Sequence, residues 1–309
     1  MTFVGFLLQI SEIFYISLHC EIINSSMMKT RKVLFITQEI MPYVPETIVS
    51  TWGRRIPQYV QEKGREIRTF MPKWGTINER RLQLHEVIRL SGMNLIIDDT
   101  DHLLILKVAS IPSARMQVYF IDNDDYFQKR LEMCDADGNE YADNGERAIF
   151  YARSVLETVK KLRWVPDIIH CQGWASAVAP LYIKTSFREE PWFRESRVVF
   201  TPGGGRLSLP LTPQFRASLQ FKGMTGKELD AFPEQMTHDD LMKLALNYSD
   251  ALMLMPGEED PELIAYAKKR GLPVYGPVDV TAENASTEVV EFFDSVWSAG
   301  KEEEKENDF

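Results

Sequence analysis

Short apolar runs alternate with helical patterns along most of this chain. Val33-Leu34-Phe35-Ile36 is a continuous β-branched and aromatic run between Lys32 and Gln38, the pattern of a strand buried on both faces of a parallel sheet. Trp52 to Lys63 reads as a helix, with Ile56, Tyr59 and Val60 on one face and Gly64 as its stop. Ile67 to Met71, closed by Pro72, predicts the next strand. Leu82 to Ile97 and Leu103 to Ser110 alternate with period two about Ser91-Gly92 and Asp98-Asp99, which predicts an antiparallel hairpin. A strand over Gln117 to Ile121 follows, then a long helix from about Asn144 to Leu162. That helix carries Ala148, Tyr151, Ala152, Val155 and Val159 as one apolar stripe.

The second half continues the alternation. Strand Asp167 to His170 runs into the turn Cys171-Gln172-Gly173, and then helix Ala175 to Thr185 and strand Val198 to Phe200 follow. Helix Leu241 to Tyr248, strand Ala251 to Met255, helix Pro261 to Lys269, strand Pro273 to Tyr275 and a helix over Thr287 to Ser298 complete the pattern. Strands separated by helices are βα units, so the predicted fold is α/β: a single Rossmann-like wound sheet with an inserted β-hairpin, one domain over residues 28–299. Residues 300–309 form an acidic tail, and Lys301 to Phe309 has no apolar face, which reads as a solvated, frayed end.

Residues 1–27 read as an N-terminal extension. Thr2 to Ser11 is apolar, but no Lys or Arg precedes Lys29, and Glu12 ends a run already shorter than the ~20 residues of a spanning helix. Both facts argue against a signal peptide or a membrane segment. Met27-Met28-Lys29 stands directly before the first strand, which suggests that translation begins there; the alternative is an amphipathic helix docked on the body.

Composition narrows the chemistry. The 309 residues hold 35 Lys+Arg against 45 Asp+Glu, a formal charge of -10, which disfavours nucleic acid because phosphate neutralisation needs a basic face. Cys20, Cys134 and Cys171 are odd in number and far apart, as expected of reduced thiols in the cytoplasm. No two histidines have helical ligand spacing and no Cys-x-x-Cys occurs, so neither a metal nor a cofactor is expected.

Several stretches resemble, in order, the N-terminal domain of bacterial glycogen and plant starch synthases, glycosyltransferase family 5. They are Lys32 to Pro42, Arg68 to Lys73 with Trp74-Gly75, Val118 to Asn123 with Tyr126-Phe127, Tyr141 to Asn144 with Glu146-Arg147, and Pro166 to Cys171 with Trp174 and Pro180-Leu181-Tyr182. The resemblance runs from about residue 31 to 200 and, less closely, to about 275. It implies the N-terminal half of a GT-B glycosyltransferase, in which ADP-glucose and α-1,4-glucan meet in a cleft between two Rossmann-like domains. The donor nucleotide is held mainly by the C-terminal domain, for which this sequence offers no matching segment.

The family's site residues are altered. Its Lys-Thr-Gly-Gly loop reads Pro45-Glu46-Thr47-Ile48, which removes an amide donor and a cation and adds a negative charge. The aspartate further along that motif aligns with Thr51. The His-x-His-Asp-Trp turn reads His170-Cys171-Gln172-Gly173-Trp174, and the His of Thr-Val-His-Asn falls within Thr201-Pro202-Gly203-Gly204.

A ligand site in a wound sheet lies outside the C-terminal ends of its strands. That edge should carry Gln38-Glu39, Lys73-Trp74, Asp122-Asn123, His170, Gln172, Trp174 and Thr201 to Arg206. The candidate substrate-binding residues are Glu39, Lys73, Asp143, Asn144, His170, Gln172 and Trp174. His170 is the candidate acid/base group, against the plainer expectation of a strand-end histidine bonded to a neighbouring carboxylate or carbonyl. Trp174 could stack on a sugar or pack under the following helix. Gly203-Gly204-Gly205-Arg206 lacks the helix that should follow a phosphate loop and reads as a flexible loop. Asp143 with Glu146 reads as a helix cap.

Two functions therefore stand. One is a glycogen/starch synthase-like protein, inactive alone or completed by a separate donor-domain chain; the other is a non-catalytic module that binds glucan or another protein. Deletion of residues 1–26 is expected to leave the Tm almost unchanged in thermal unfolding. A loss of several kcal/mol would instead show that Phe3, Leu7, Leu8 and Phe14 pack into the fold, since burying each such side chain is worth roughly 1.5–3 kcal/mol.

Overall fold

Val33, Leu34, Phe35 and Ile36 are fully buried in the computed structural model, which describes residues 32–307. Their alternation sends Leu34 and Ile36 into one core and Val33 and Phe35 into another on the opposite face. The N-terminal extension inferred from the sequence lies outside the described residues.

The chain runs β1 (Lys32–Ile36), α1 (Ile48–Glu62), β2 (Glu66–Pro72), β3 (His85–Glu86), β4 (Met93–Ile97), β5 (Thr100–Ile111), β6 (Met116–Asp122) and α2 (Asn144–Lys161). It continues through β7 (Ile168–Gln172), α3 (Ala179–Lys184), β8 (Arg197–Thr201), α4 (Phe215–Ser218), α5 (His238–Asn247), β9 (Ala251–Met253), α6 (Pro261–Lys269), β10 (Val274–Tyr275) and α7 (Ala285–Asn307). The strands form one sheet in the order β10-β9-β8-β7-β1-β2-β6-β5-β3, with β4 paired to β5. From β10 to β6 all neighbours are parallel; β5 pairs antiparallel with β6, β3 and β4. The order reverses at β1, because the chain builds outward through β2 and β6 before returning to lay β7 on the other side. The crevice between the C-terminal ends of β1 and β7 is thus a topological switch point.

Helices α1 and α7 cover one face, where Trp52 Nε1 donates to the Val278 carbonyl at 3.1 Å. Helices α2, α3, α5 and α6 contribute to the core on the other. Tyr151 of α2 donates its hydroxyl to the Thr37 carbonyl at 2.8 Å, fixing the helix against the end of β1. No helix among the described residues is long and apolar enough to cross a membrane.

Four expectations change. The antiparallel hairpin joins β4 to β5 through Asp98-Asp99, whereas residues 82–92 supply only the two-residue β3. Helix α1 begins at Ile48 rather than Trp52, because Thr47 and Ser50 cap each other reciprocally. The segment after Gly173 starts as a 3-10 turn, Trp174–Ser176, and becomes α-helical only at Ala179; Pro180 has no N–H to continue an earlier helix. The last helix does not fray at Lys301 but runs to Asn307, with Lys301 paired to Glu195 at 2.6 Å and its ammonium 4.8 Å from the Trp297 ring centre.

Gly53 sets how closely α1 approaches the end of β1, since a Cβ there would overlap the Glu39 carbonyl oxygen. Gly53→Ala is expected to lower stability by about 1–3 kcal/mol through this overpacking. Urea unfolding measures it; an unchanged midpoint would show that the helix can shift without cost.

Candidate functional site

Polar groups gather where β1 ends. Thr37, Gln38 and Glu39 are buried, and Gln38 is bonded in four directions. Its Nε2 donates to the Gly204 carbonyl at 2.8 Å and to Glu39 Oε1 at 3.2 Å, its Oε1 accepts from the Ala175 amide at 3.4 Å, and its carbonyl accepts from Trp74 Nε1 at 2.9 Å. One glutamine thereby ties the loops after β1, β2, β7 and β8.

Glu39 stands beside it. Oε2 accepts from Thr47 Oγ1 at 3.1 Å, and Thr47 in turn accepts from the Ser50 amide at 3.0 Å, capping α1. Glu39 also accepts a hydrogen bond from the carboxyl group of Glu132. Burial raises the pKa of Glu39 despite the bonds from Thr47, Gln38 and Glu132. Burial first, then the charge of Glu39 and the bond to it, pushes Glu132 up to about 8. The two carboxyls therefore titrate as a pair that keeps a proton between them at neutral pH. Glu258, after β9, is a third acid in the crevice, with its pKa raised by burial and by the charges of Glu39 and Glu259.

The loop that delivers Glu132 is clamped by Arg147 of α2. This guanidinium donates to the carbonyls of Tyr126 at 3.0 Å, Leu131 at 2.7 Å and Glu132 at 2.6 Å, and to Asn144 Oδ1 at 2.7 Å. It lies 5.0 Å from the Trp74 ring centre. Burial and the neighbouring Arg130 hold it down to about 10, still charged at neutral pH.

The sequence candidates fall into distinct places. Glu39 is in the crevice. Gln172 is buried at its base and donates to the Val49 carbonyl at 3.1 Å. Lys73 is buried and paired with Glu79 at 3.0 Å, in a chain that continues through Lys107 to Asp122, with both Lys107 contacts at 2.7 Å. Asn144 gives its Nδ2 to the Met133 carbonyl at 3.0 Å and so holds the loop rather than facing solvent. Asp143 is not a side-chain cap with Glu146: its carboxylate is taken up by Arg130 at 2.6 Å.

His170 and Trp174 do not face the crevice. His170 lies between Phe35 and Phe293, with ring centres 5.7 and 5.8 Å away, and Nε2 is 2.8 Å from Thr201 Oγ1. Its partner is a hydroxyl, not the expected carboxylate or carbonyl. Complete burial pushes it down to about 3, so it is neutral and is not placed for acid/base work on a solvent-borne substrate. Trp174 is fully buried with its ring centre 6.3 Å from that of Trp74, which matches packing rather than sugar stacking. The loop after β8 is pinned, not flexible: Arg206 pairs with Asp239 at 2.5 Å, the Ser208 amide and hydroxyl both donate to Glu140 at 2.7 Å, and the Leu207 amide donates to His238. Gly203, Gly204 and Gly205 all take positive φ, and a side chain at 204 would strike Gln38. No group of His, Cys, Asp and Glu suited to a metal ion occurs among the described residues.

Glu132 and Glu258 were not among the candidates. Glu258 follows β9 and could have been found by the strand-end rule; Glu132 sits in a loop with no periodic pattern to place it.

Comparison with known proteins gives a consistent relationship. Residues 32–255 match the family model described as the starch synthase catalytic domain, and the chain belongs to that family. It is 38% identical over 171 residues to a glycogen synthase of Chlorobium luteolum, covering 55% of this chain and 35% of that protein. A glycogen synthase of Chlorobaculum tepidum is 36% identical over 171 residues, with the same coverage of 55% and 35%. The chain thus spans about a third of the length of these relatives. The catalytic domain of starch synthase IV from Arabidopsis thaliana, solved with ADP and acarbose, has a TM-score of 0.58 at 17% identity, covering 73% of this chain and 45% of that one. This likeness establishes the GT-B-type α/β fold.

The acid pair generates a pH dependence with a defined sign. The folded-state pKa of Glu132 is raised from an ordinary 4.5 to about 8, so its stabilising contribution is complete below the unfolded value and is lost as pH rises through the folded one. The Tm is expected to fall between about pH 5 and 9, and Glu132→Gln to flatten that dependence and raise the Tm at pH 9. Parallel slopes for the two proteins in a pH series of melts would refute the shared proton.

Proposed function

We propose that this member of the starch synthase catalytic-domain family is a glycogen/starch synthase-like protein of cytoplasmic α-glucan metabolism whose strand-edge site does not itself transfer glucose from ADP-glucose. The observation that carries this reading is the Glu39–Glu132 pair at the corner where the family's Lys-Thr-Gly-Gly loop would meet donor phosphate. A helix N-terminus offers free amides and a positive field to a phosphate. Here the N-terminus of α1 is closed by Thr47 and Ser50, and its cap is bonded to the Glu39 carboxylate. Pro45 contributes no N–H, and an entering diphosphate would meet Glu39 and Glu258 as like charges.

The interior positions support the same reading. His170 is neutral and enclosed, while Gln172 and Gly173 stand where the family has His and Asp. Removing one electrostatic stabiliser typically costs about 10²–10³ in kcat, so these losses together should suppress transfer below detection. Glucan binding needs neither the Lys-Thr-Gly-Gly loop nor the lost histidines, because sugar hydroxyls can be held by other polar groups, which favours α-1,4-glucan over the nucleotide as ligand. A separate donor-binding chain is the second reading; the acidic crevice favours a partner surface that brings its own Lys and Arg.

Purified protein, freed of contaminating synthase, should not extend maltooligosaccharides with ADP-glucose, and calorimetry should show no saturable ADP-glucose binding. Retardation in glucan-containing native gels should remain. Extension that persists through repurification and is lost in Glu39→Ala would overturn the reading.

A further inference from the structure

A cavity of about 850 Å³ opens on the flank of the molecule, between β4, α2 and the segment that follows α4. None of the strand-edge residues described above lines it. Its wall includes Arg153 of α2, a residue only 5% exposed. Nη1 donates to the Ile96 carbonyl at 2.5 Å, the Phe221 ring centre lies 3.8 Å from Cζ, and Nε is buried without a partner. Among the described residues Arg153 has no ion pair.

A buried guanidinium normally has a carboxylate or several carbonyls to compensate it, as Arg147 does one turn and a half earlier on the same helix. The Tyr182 hydroxyl near Arg153 is committed to the Leu219 carbonyl at 3.1 Å, and Glu157, one turn along α2, acts on Arg153 only through space. Burial lowers the pKa of Arg153 from its ordinary value, as expected of a charge with incomplete compensation. The remaining lining is mixed. Asp98, Asp99 and Glu157 give the rim negative charge, Lys222 is its one cation besides Arg153, and Met93 and Met224 supply apolar surface.

We propose that this cavity binds a small hydroxylated monocarboxylate, with its carboxylate on Arg153 and its hydroxyls on the Asp98-Asp99 rim. The fork geometry of a guanidinium suits a planar carboxylate, and hydroxyl groups donate to the aspartates. The three rim carboxylates act against a dianion, so a monoanion is preferred over a phosphate monoester. The volume lies within the range of sites for small organic ligands, about 300–1,000 Å³. The site is independent of the activity proposed for the strand edge.

Titration with D-glucuronate, followed by calorimetry and thermal shift, tests this, with D-glucose and inorganic phosphate as parallel probes. Glucuronate should bind saturably and raise the Tm, and the other two should not. Arg153→Gln should weaken binding by about tenfold or more, the loss of a charge-assisted contact. Ala217→Trp, an exposed wall position that the ring would use to fill the cavity, should abolish binding while leaving the circular dichroism unchanged. Glu132→Gln should bind as the parent does, which separates this site from the crevice. Absence of saturable glucuronate binding, equal binding of glucose, stronger binding of phosphate, or undiminished binding by Ala217→Trp would overturn the proposal; if Arg153→Gln does not fold, Ala217→Trp decides.

Discussion

Strand β1 is enclosed on both faces by helices and on both edges by parallel neighbours, and this constraint governs the rest of the structure. Four successive residues can only be apolar, because any polar group on them would lie in one of two dry cores. All chemistry at this end of the sheet is therefore displaced to the three residues that follow. Thr37 accepts from Tyr151, Gln38 joins four loops, and Glu39 reaches the cap of α1. The ordering of the crevice depends on the strand being held so firmly beneath it.

The electrostatics of that crevice follow from what is available to neutralise an acid there. Arg147 is a cation that acts on Glu132 through space, but four hydrogen bonds to carbonyl and amide oxygens occupy it. Arg206 is taken by Asp239 and Arg130 by Asp143. With these cations engaged, proton sharing is the remaining means by which Glu39 and Glu132 can lie together at modest cost.

The sequence made the frame legible where a period repeats: Val33 to Ile36, the stripe on α2 and Pro261 to Lys269 all stand where their patterns placed them. It misled where one side-chain contact decides a boundary, as with the Thr47–Ser50 cap and Pro180. The site was legible by residue type but not by direction. His170 lies in the middle of β7, two residues short of its end, and period two turns its ring toward Phe35 and Phe293, into the core under α7. Glu132 was invisible because Arg147, rather than any local pattern, puts its loop beside Glu39.

The margins of the sheet bear on assembly. At one end it finishes in β10, at the other in β3, each two residues long, so neither gives an incoming strand more than a few backbone bonds to copy. The longer β4 has the carbonyl of Ile96 already taken by Arg153. A molecule with such edges is guarded against growth by strand addition at either margin of its described sheet.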